Sequence, residues 1–197
     1  MKKLIILLFI ISIAFSCNKK EVKVPRVAMQ GAEEIYNNTK IWMFYGEDGK
    51  LNLNEKNRIS STHWLFNIDK KLALKEFMPE LNKLKIKHSE KSPHNTKPMN
   101  NYFTYVNSLN DHLSFYQFDS INYKIIDKSK LPKFSSDTLL FEVNSVIKET
   151  PEIEKSKIIQ TIFDSDLSFQ DYLASKAILE KEIGKENISR VEYIISK

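Results

Sequence analysis

The side chains that could do acid–base or metal chemistry are few and poorly spaced for it. The four histidines are His63, His88, His94 and His112. His88 and His94 flank a loop that contains Glu90, but this spacing matches no known zinc-ligand pattern. Asp111-His112 has no serine elbow near it, and the chain contains no Gly-x-Ser-x-Gly sequence and no His-Glu-x-x-His helix. We therefore predict no metal, no cofactor and no catalytic residue.

Two carboxylates, Asp164 and Asp166, stand directly before a predicted helix. As a general acid–base pair they would need burial to push their pKa values apart. As a turn at a helix N-terminus they need only water and the favourable end of the helix dipole. The turn is the simpler interpretation.

Surface binding is the more promising use of this chain. Two aromatic runs, Tyr102 to Tyr105 and Phe115 to Phe118, are predicted strands, and strands expose alternate residues. An outward aromatic could stack on sugar rings or receive a partner's strand, and core packing is the alternative. Lysines between Lys70 and Lys97 could contact anionic lipid or polymer, or simply form a solvated helix face. The candidate binding surface comprises Tyr102, Tyr105, Phe115, Tyr116, Lys83, Lys87 and Lys91.

The N-terminus has a pattern of its own, which ends at the single cysteine, Cys17. Lys2 and Lys3 precede an apolar run from Leu4 to Phe15, which is typical of a secretory signal peptide and short for a membrane span. A lone cysteine excludes an internal disulfide and a cysteine-based zinc site. We predict that residues 1–16 are a signal peptide and that the exported protein does not meet nucleic acid.

Ser16-Cys17, followed by the polar Asn18-Lys19-Lys20, resembles the lipobox of bacterial lipoproteins. Ala14 and Phe15 depart from the commonest pattern, as in the relaxed lipoboxes of Bacteroidetes-like bacteria. The resemblance implies that Cys17 is acylated and becomes the first residue, and two or three acyl chains hold a protein stably at a membrane. Asn18, which is not the Asp of an inner-membrane retention signal, favours the outer membrane. A Lys-plus-acidic cluster like the surface-export signal of some Bacteroidetes lipoproteins is absent after Lys19-Lys20, which favours the periplasmic side over the cell surface. The alternative is a plain secreted protein with a free thiol.

The elements that must position these side chains are predicted from periodicity. Residues 17–39 are predicted to be the lipidated cysteine and a flexible tether, and residues 40–197 a single globular domain. A hairpin is predicted at 41–54, a helix follows a strand at 62–68, and Ile121 to Ile126 is predicted as an antiparallel strand. No internal repeat is evident. The predicted fold is α+β, with a small mixed sheet, two main helices and a C-terminal βαβ unit.

Residues 157–195 contain a strand from Ile158 to Phe163, then Asp164-Ser165-Asp166, a helix, and a strand that begins at Ile188-Ser189-Arg190-Val191. This order resembles the periplasmic domain of the ExbD/TolR biopolymer-transport family, with a looser match over 40–87. The resemblance implies a binding or docking domain in the envelope. The chain lacks that family's membrane helix with its proton-carrying aspartate, so no residue here is assigned to ion-driven coupling.

The sequence thus predicts a lipid-anchored protein of the bacterial envelope. Its domain is expected to bind or scaffold another envelope protein or an anionic envelope polymer without catalysis. The alternative is a hydrolase of cell-wall or glycan material, with a site assembled from residues distant in sequence.

Overall fold

The computed structural model describes residues 22–54, 58–90, 99–148 and 157–196. Those ranges contain ten strands and two α-helices, so the predicted α+β class is confirmed. The strands are β1 Arg26–Val27, β2 Asn38–Tyr45, β3 Leu51–Leu53, β4 His63–Ile68, β5 Asn101–Asn107, β6 Leu113–Gln117, β7 Asn122–Asp127, β8 Thr138–Val143, β9 Ile158–Asp164 and β10 Val191–Ser196. The helices are α1 Leu74–Ser89 and α2 Phe169–Ile183.

The strands form two sheets. The N-terminal sheet, β1 to β6, is mixed, with the order β1-β5-β4-β2-β3 and β6 antiparallel to β5. The C-terminal sheet, β7 to β10, has the order β7-β10-β9-β8, and all of its neighbours are parallel. The prediction of an antiparallel strand at Ile121 to Ile126 is wrong in its pairing, because β7 lies parallel to β10.

Local signals position both ends of α2. The Ser168 hydroxyl accepts a hydrogen bond from the backbone N–H of Asp171 at 3.1 Å, and thus satisfies a donor that the first helical turn leaves unpaired. Gly184 ends the helix with a φ of +86°, a conformation that disfavours residues with a Cβ. The C-terminal strand–helix–strand unit, β9-α2-β10, is therefore confirmed, and β9 pairs directly with β10.

The two helices lie between the two sheets. Phe77 of α1 packs edge-on against Phe169 of α2, with ring centroids 5.2 Å apart. On one side, the Phe169 ring contacts Phe103 of β5 at 5.1 Å. On the other side, Tyr172 of α2 contacts Phe163 of β9 at 4.9 Å. A single buried cluster runs through both sheets and both helices, so the helices share one core with each sheet.

A structural repeat relates the two halves. The parallel series β2-β4-α1-β5 of the first half corresponds to β8-β9-α2-β10 of the second, with the same order of strands. The turns that lead into the helices meet antiparallel at Ala73 and Ser168. The Leu74 N–H donates to the Leu167 carbonyl at 3.0 Å, and the Phe169 N–H donates to the Leu72 carbonyl at 2.8 Å. The repeat that the sequence did not reveal is thus present in the fold.

The folded domain begins earlier than the predicted boundary at residue 40. β1 pairs in parallel with the end of β5, and Val27 and Met29 are buried in the core. The Tyr105 hydroxyl donates to the Met29 carbonyl at 2.9 Å. Ala32 forms an isolated antiparallel bridge to Phe115 beside β6. Residues 22–39, which the sequence assigned to a flexible tether, therefore contact the domain through backbone pairing and core packing.

Candidate functional site

The aromatic residues of the candidate binding surface divide between the two faces of the N-terminal sheet. Tyr105 of β5 and Tyr116 of β6 point into the core. Tyr105 is fully buried, and the Tyr116 hydroxyl donates to the Glu180 carboxylate of α2. These two side chains are not surface residues, because the face of the sheet to which they belong is the one that the helices cover.

Tyr102 and Phe115 lie on the opposite face, where Tyr102 is buried, with 8% exposure, and Phe115 is half-buried. In β2, Ile41 and Met43 are fully buried, whereas the alternate residues Trp42 and Phe44 are half-buried. Side chains alternate along a strand, so Trp42 and Phe44 share the side that Tyr102 and Phe115 occupy. We call the four residues Trp42, Phe44, Tyr102 and Phe115 the outer aromatic face.

Polar side chains lie between these rings. Trp42 is in register with Asn67 of β4, and Phe115 is in register with Thr104 of β5. Asn67 and Thr104 are both buried, and the Thr104 hydroxyl has no hydrogen-bond partner among the described residues. Neighbouring strands are about 4.8 Å apart, so three strand steps place Trp42 and Phe115 roughly 14 Å from each other.

Neither helix covers this face. Both α1 and α2 contact the other side of the sheet: α1 through His88 stacked on Trp64 at 3.9 Å, and α2 through Phe169 on Phe103. The middle of this face is itself buried, since Tyr102 is 8% exposed and Leu65 is 2% exposed, whereas Trp42, Phe44 and Phe115 are half-buried. The three half-buried rings, Trp42, Phe44 and Phe115, are the part of this face that a partner could contact.

The lysines of the candidate surface lie on α1. Lys83 is exposed and pairs with Glu80 at 2.6 Å, one helical turn earlier, and such exposed pairs contribute little to stability. Lys87 is exposed, with the exposed Ile86 beside it. Lys91 lies outside the described residues, as does Cys17. The structure does not bring Lys83 and Lys87 together with the outer aromatic face, because α1 lies on the other side of the sheet.

Two of the described histidines, His63 and His88, form side-chain hydrogen bonds. His88 is buried, and its ring nitrogens contact the Asn101 side-chain oxygen at 2.9 Å and the Thr62 carbonyl at 3.0 Å. Burial lowers the pKa of His88 below its usual value, and these two hydrogen bonds partly oppose that effect. His63 accepts from the Asn100 N–H at 3.0 Å, and His112 is exposed. His94 lies outside the described residues.

Asp164 and Asp166 form a turn. Asp164 is buried, and its carboxylate accepts the Asp166 N–H at 2.9 Å. Asp166 is exposed and pairs with Lys75 of α1 at 2.6 Å. The two carboxylates therefore have different environments: Asp164 binds a backbone N–H within the turn, and Asp166 binds the ammonium of α1.

A buried charge cluster, which the sequence analysis missed, joins α2 to both sheets. It consists of Tyr116, Tyr172, Lys176, Glu180 and Glu192. The Lys176 ammonium, 7% exposed, pairs with the Glu192 carboxylate, 1% exposed, and lies 3.7 Å from the Glu180 carboxylate. The Tyr172 hydroxyl donates to the other Glu192 oxygen at 2.7 Å. At the edge, Lys185 pairs with the second Glu180 oxygen at 3.2 Å.

All four carboxylate oxygens of this cluster have a donor from the chain itself. Burial and the neighbouring carboxylates raise the pKa values of Tyr116 and Tyr172, so both hydroxyls stay protonated as donors. The signal in the sequence is spacing: Tyr172, Lys176 and Glu180 recur every four residues along one side of α2.

No protein-family model, curated protein or solved structure matches this chain.

Two further features concern the described residues, 22–54, 58–90, 99–148 and 157–196. None of their helices is long and apolar enough to cross a membrane. No group of three or more His, Cys, Asp or Glu side chains in these ranges is arranged to hold a metal ion.

Proposed function

We propose that this protein is exported, acylated on Cys17 and held at a bacterial membrane, where its domain binds another envelope protein without catalysing a reaction. The N-terminal pattern carries the proposal: two lysines, an apolar run and a single cysteine after a small residue. Acylation of that cysteine gives an anchor without a membrane-spanning helix. The outer membrane, facing the periplasm, is the proposed location.

The outer aromatic face supports the binding half of the proposal. Its half-buried rings, Trp42, Phe44 and Phe115, can bury a large area at a low entropic cost, and aromatic residues are enriched where proteins meet. The pairing of every carboxylate oxygen in the buried charge cluster favours a structural role for those groups over the hydrolase alternative. The β9-α2-β10 unit is compatible with the resemblance of residues 157–195 to the ExbD/TolR periplasmic domain, which implies a docking domain.

Acylation is tested by metabolic labelling with palmitate. We expect label in the intact protein and none in the Cys17→Ser variant, because the thiol is the acyl acceptor. A Ser16→Ala variant, which keeps a small residue before the cysteine, is the matched control and should be labelled. Replacing residues 1–17 with an ordinary cleavable signal peptide should move the protein to the soluble fraction. Palmitate that persists in the serine variant, or is absent from the intact protein, contradicts the anchor.

Partner binding is tested by placing a photo-crosslinking residue at Phe115 of the full chain in intact envelopes. We expect a discrete adduct that is lost when Trp42→Glu is added. The introduced carboxylate lies on the outer aromatic face and must be desolvated when a partner binds. An Ile86→Glu substitution on the exposed side of α1 is the control and should leave the adduct in place. An adduct that is equally strong with Trp42→Glu would mean that the partner does not use the outer aromatic face.

A further inference from the structure

The proposed anchor and the folded domain are close together in the chain. The first described contacts are made by Lys23, whose carbonyl accepts the Lys70 N–H at 2.8 Å and whose N–H approaches the Asp69 carboxylate at 3.4 Å. Six residue steps separate Cys17 from Lys23, and an extended chain spans at most about 3.5 Å per residue. An acylated Cys17 therefore holds the end of the sheet around Lys23 within about 20 Å of the bilayer.

The turn between β5 and β6 lies at the same end of the sheet. The N-terminal segment runs parallel to the end of β5, and the Ser108 N–H of this turn donates to the Val27 carbonyl at 3.0 Å. Arg26 forms an ion pair with Asp111 of the turn. The segment that follows the proposed anchor is thus fixed to this turn by backbone and side-chain contacts.

The turn presents an apolar side chain at its tip. Leu109 is 76% exposed, among the largest exposures of an apolar side chain in the described chain. Its position is held by the Asn107 side chain, which accepts the Leu109 N–H at 3.1 Å, and by the Asn107 carbonyl, which accepts the Asp111 N–H at 2.9 Å. Because the backbone of the turn is already fixed, little conformational entropy of the backbone is lost when the apolar residue enters a membrane interface.

Three lysines, Lys23, Lys70 and Lys71, accompany Leu109 at this end. Of the two acidic residues in contact with this segment, Asp111 pairs with Arg26, whereas Asp69 accepts the Lys71 N–H at 3.0 Å and keeps its charge. The ion pairs between described residues include none of the three lysines. Lys23 and Lys71 are exposed and Lys70 is partly exposed, so their ammonium groups are available to an anionic surface. Each lysine near such a surface contributes about 1 kcal/mol of attraction.

We infer that Leu109 and the lysines Lys23, Lys70 and Lys71 form a seat on an anionic phospholipid bilayer. The inference rests on the proposed acylation of Cys17. Leu109 enters the interface while the lysines contact lipid phosphates, so the strands of the N-terminal sheet meet the membrane end-on. The outer aromatic face then stands at the side of the domain, accessible to a partner in the same compartment.

A single fluorophore tests the seat, because acylation leaves no other thiol. The Leu109→Cys variant, acylated at Cys17, is labelled with an environment-sensitive dye and placed in vesicles that contain phosphatidylglycerol. We expect the dye at position 109 to be several-fold less accessible to an aqueous quencher than a dye at Ile86→Cys on α1. Equal accessibility of the two positions overturns the seat while leaving the acyl anchor intact.

Vesicle binding by the unacylated chain separates the seat from the anchor. The chain from Asn18 to Lys197 keeps every residue that the structure describes. We expect it to sediment with phosphatidylglycerol vesicles and not with phosphatidylcholine vesicles. Lys70→Gln with Lys71→Gln should weaken binding about 30-fold, the equivalent of about 2 kcal/mol. Lys83→Gln with Lys87→Gln should have no effect. Equal binding to both lipids, or equal loss in both double variants, overturns the seat, whereas absence of palmitate on Cys17 overturns the anchor alone.

Discussion

The Lys176→Met variant should lose about 3–5 kcal/mol of its free energy of unfolding, because it leaves a buried carboxylate without its counter-ion. Glu192 is 1% exposed, and Lys176 provides the ammonium that balances it. Without Lys176, the Tyr172 hydroxyl is the only donor to that carboxylate among the contacts described above. Urea denaturation followed by circular dichroism measures the loss.

Two further variants make the result specific to the buried pair. Lys176→Met combined with Glu192→Leu removes both charges and should recover most of the loss, because an apolar pair of similar volume does not need solvation. Lys185→Met removes the outer partner of Glu180. The Lys185 side chain is 64% exposed, so its loss should cost about 1 kcal/mol or less. If the single and double variants are equally destabilised, Lys176 contributes through packing and not through its charge.

Periodicity in the sequence predicts the elements of this fold well. The β-branched and aromatic run at 41–45, which Gly46 bounds, predicts β2, and the three- and four-residue steps from Leu74 to Leu84 predict α1. The cap residues Ser168 and Gly184 locate both ends of α2. These features depend on neighbours within a few residues, which is why a single sequence contains them.

Which strands pair with each other depends on contacts between residues far apart in the chain, and periodicity in the sequence does not predict these contacts. β7 pairs with β10, which is about 70 residues away, and the choice between one sheet and two follows from such long-range pairings. The repeat is hidden for a related reason. In each turn that leads into a helix, an Asp stands three residues before a Leu: Asp69 and Leu72 before α1, and Asp164 and Leu167 before α2. The two turns share few other residues, because hydrogen bonds between backbone atoms join them and such bonds do not require particular side chains.

Two residues of the outer aromatic face, Tyr102 and Phe115, were named from the sequence, and Tyr102 is buried in the structure. Alternation predicts that residues such as Tyr102 and Tyr105 face opposite sides, but it does not say which side the helices cover. Trp42 and Phe44 belong to the same face and were missed, because they come from a strand 60 residues earlier whose neighbours in the sheet were unknown. The buried charge cluster was missed because charged residues are rarely buried, so Lys176 and Glu192 were not expected inside.

The position at which the domain begins leads to the second prediction with a large effect. A chain that starts at Lys40, the boundary predicted from the sequence, should show no cooperative unfolding transition. It lacks Val27 and Met29, each of which contributes about 1.5–3 kcal/mol by burial, and it also lacks the backbone pairing of β1 with β5. Together these losses are comparable to the 5–15 kcal/mol that stabilises a typical domain.

A chain that starts at Val22 is the matched control, and thermal unfolding measured by calorimetry should show the same single transition as the chain from Asn18. Tyr105→Phe in the longer chain removes only the hydrogen bond to the Met29 carbonyl and should cost about 1 kcal/mol. Equal unfolding temperatures for the chains that start at residues 22 and 40 would mean that β1 adds nothing to the core. The folded domain would then be joined to Cys17 by a longer flexible tether. The membrane seat depends on the short distance from Cys17 to Lys23, so Leu109 would no longer be held near the bilayer.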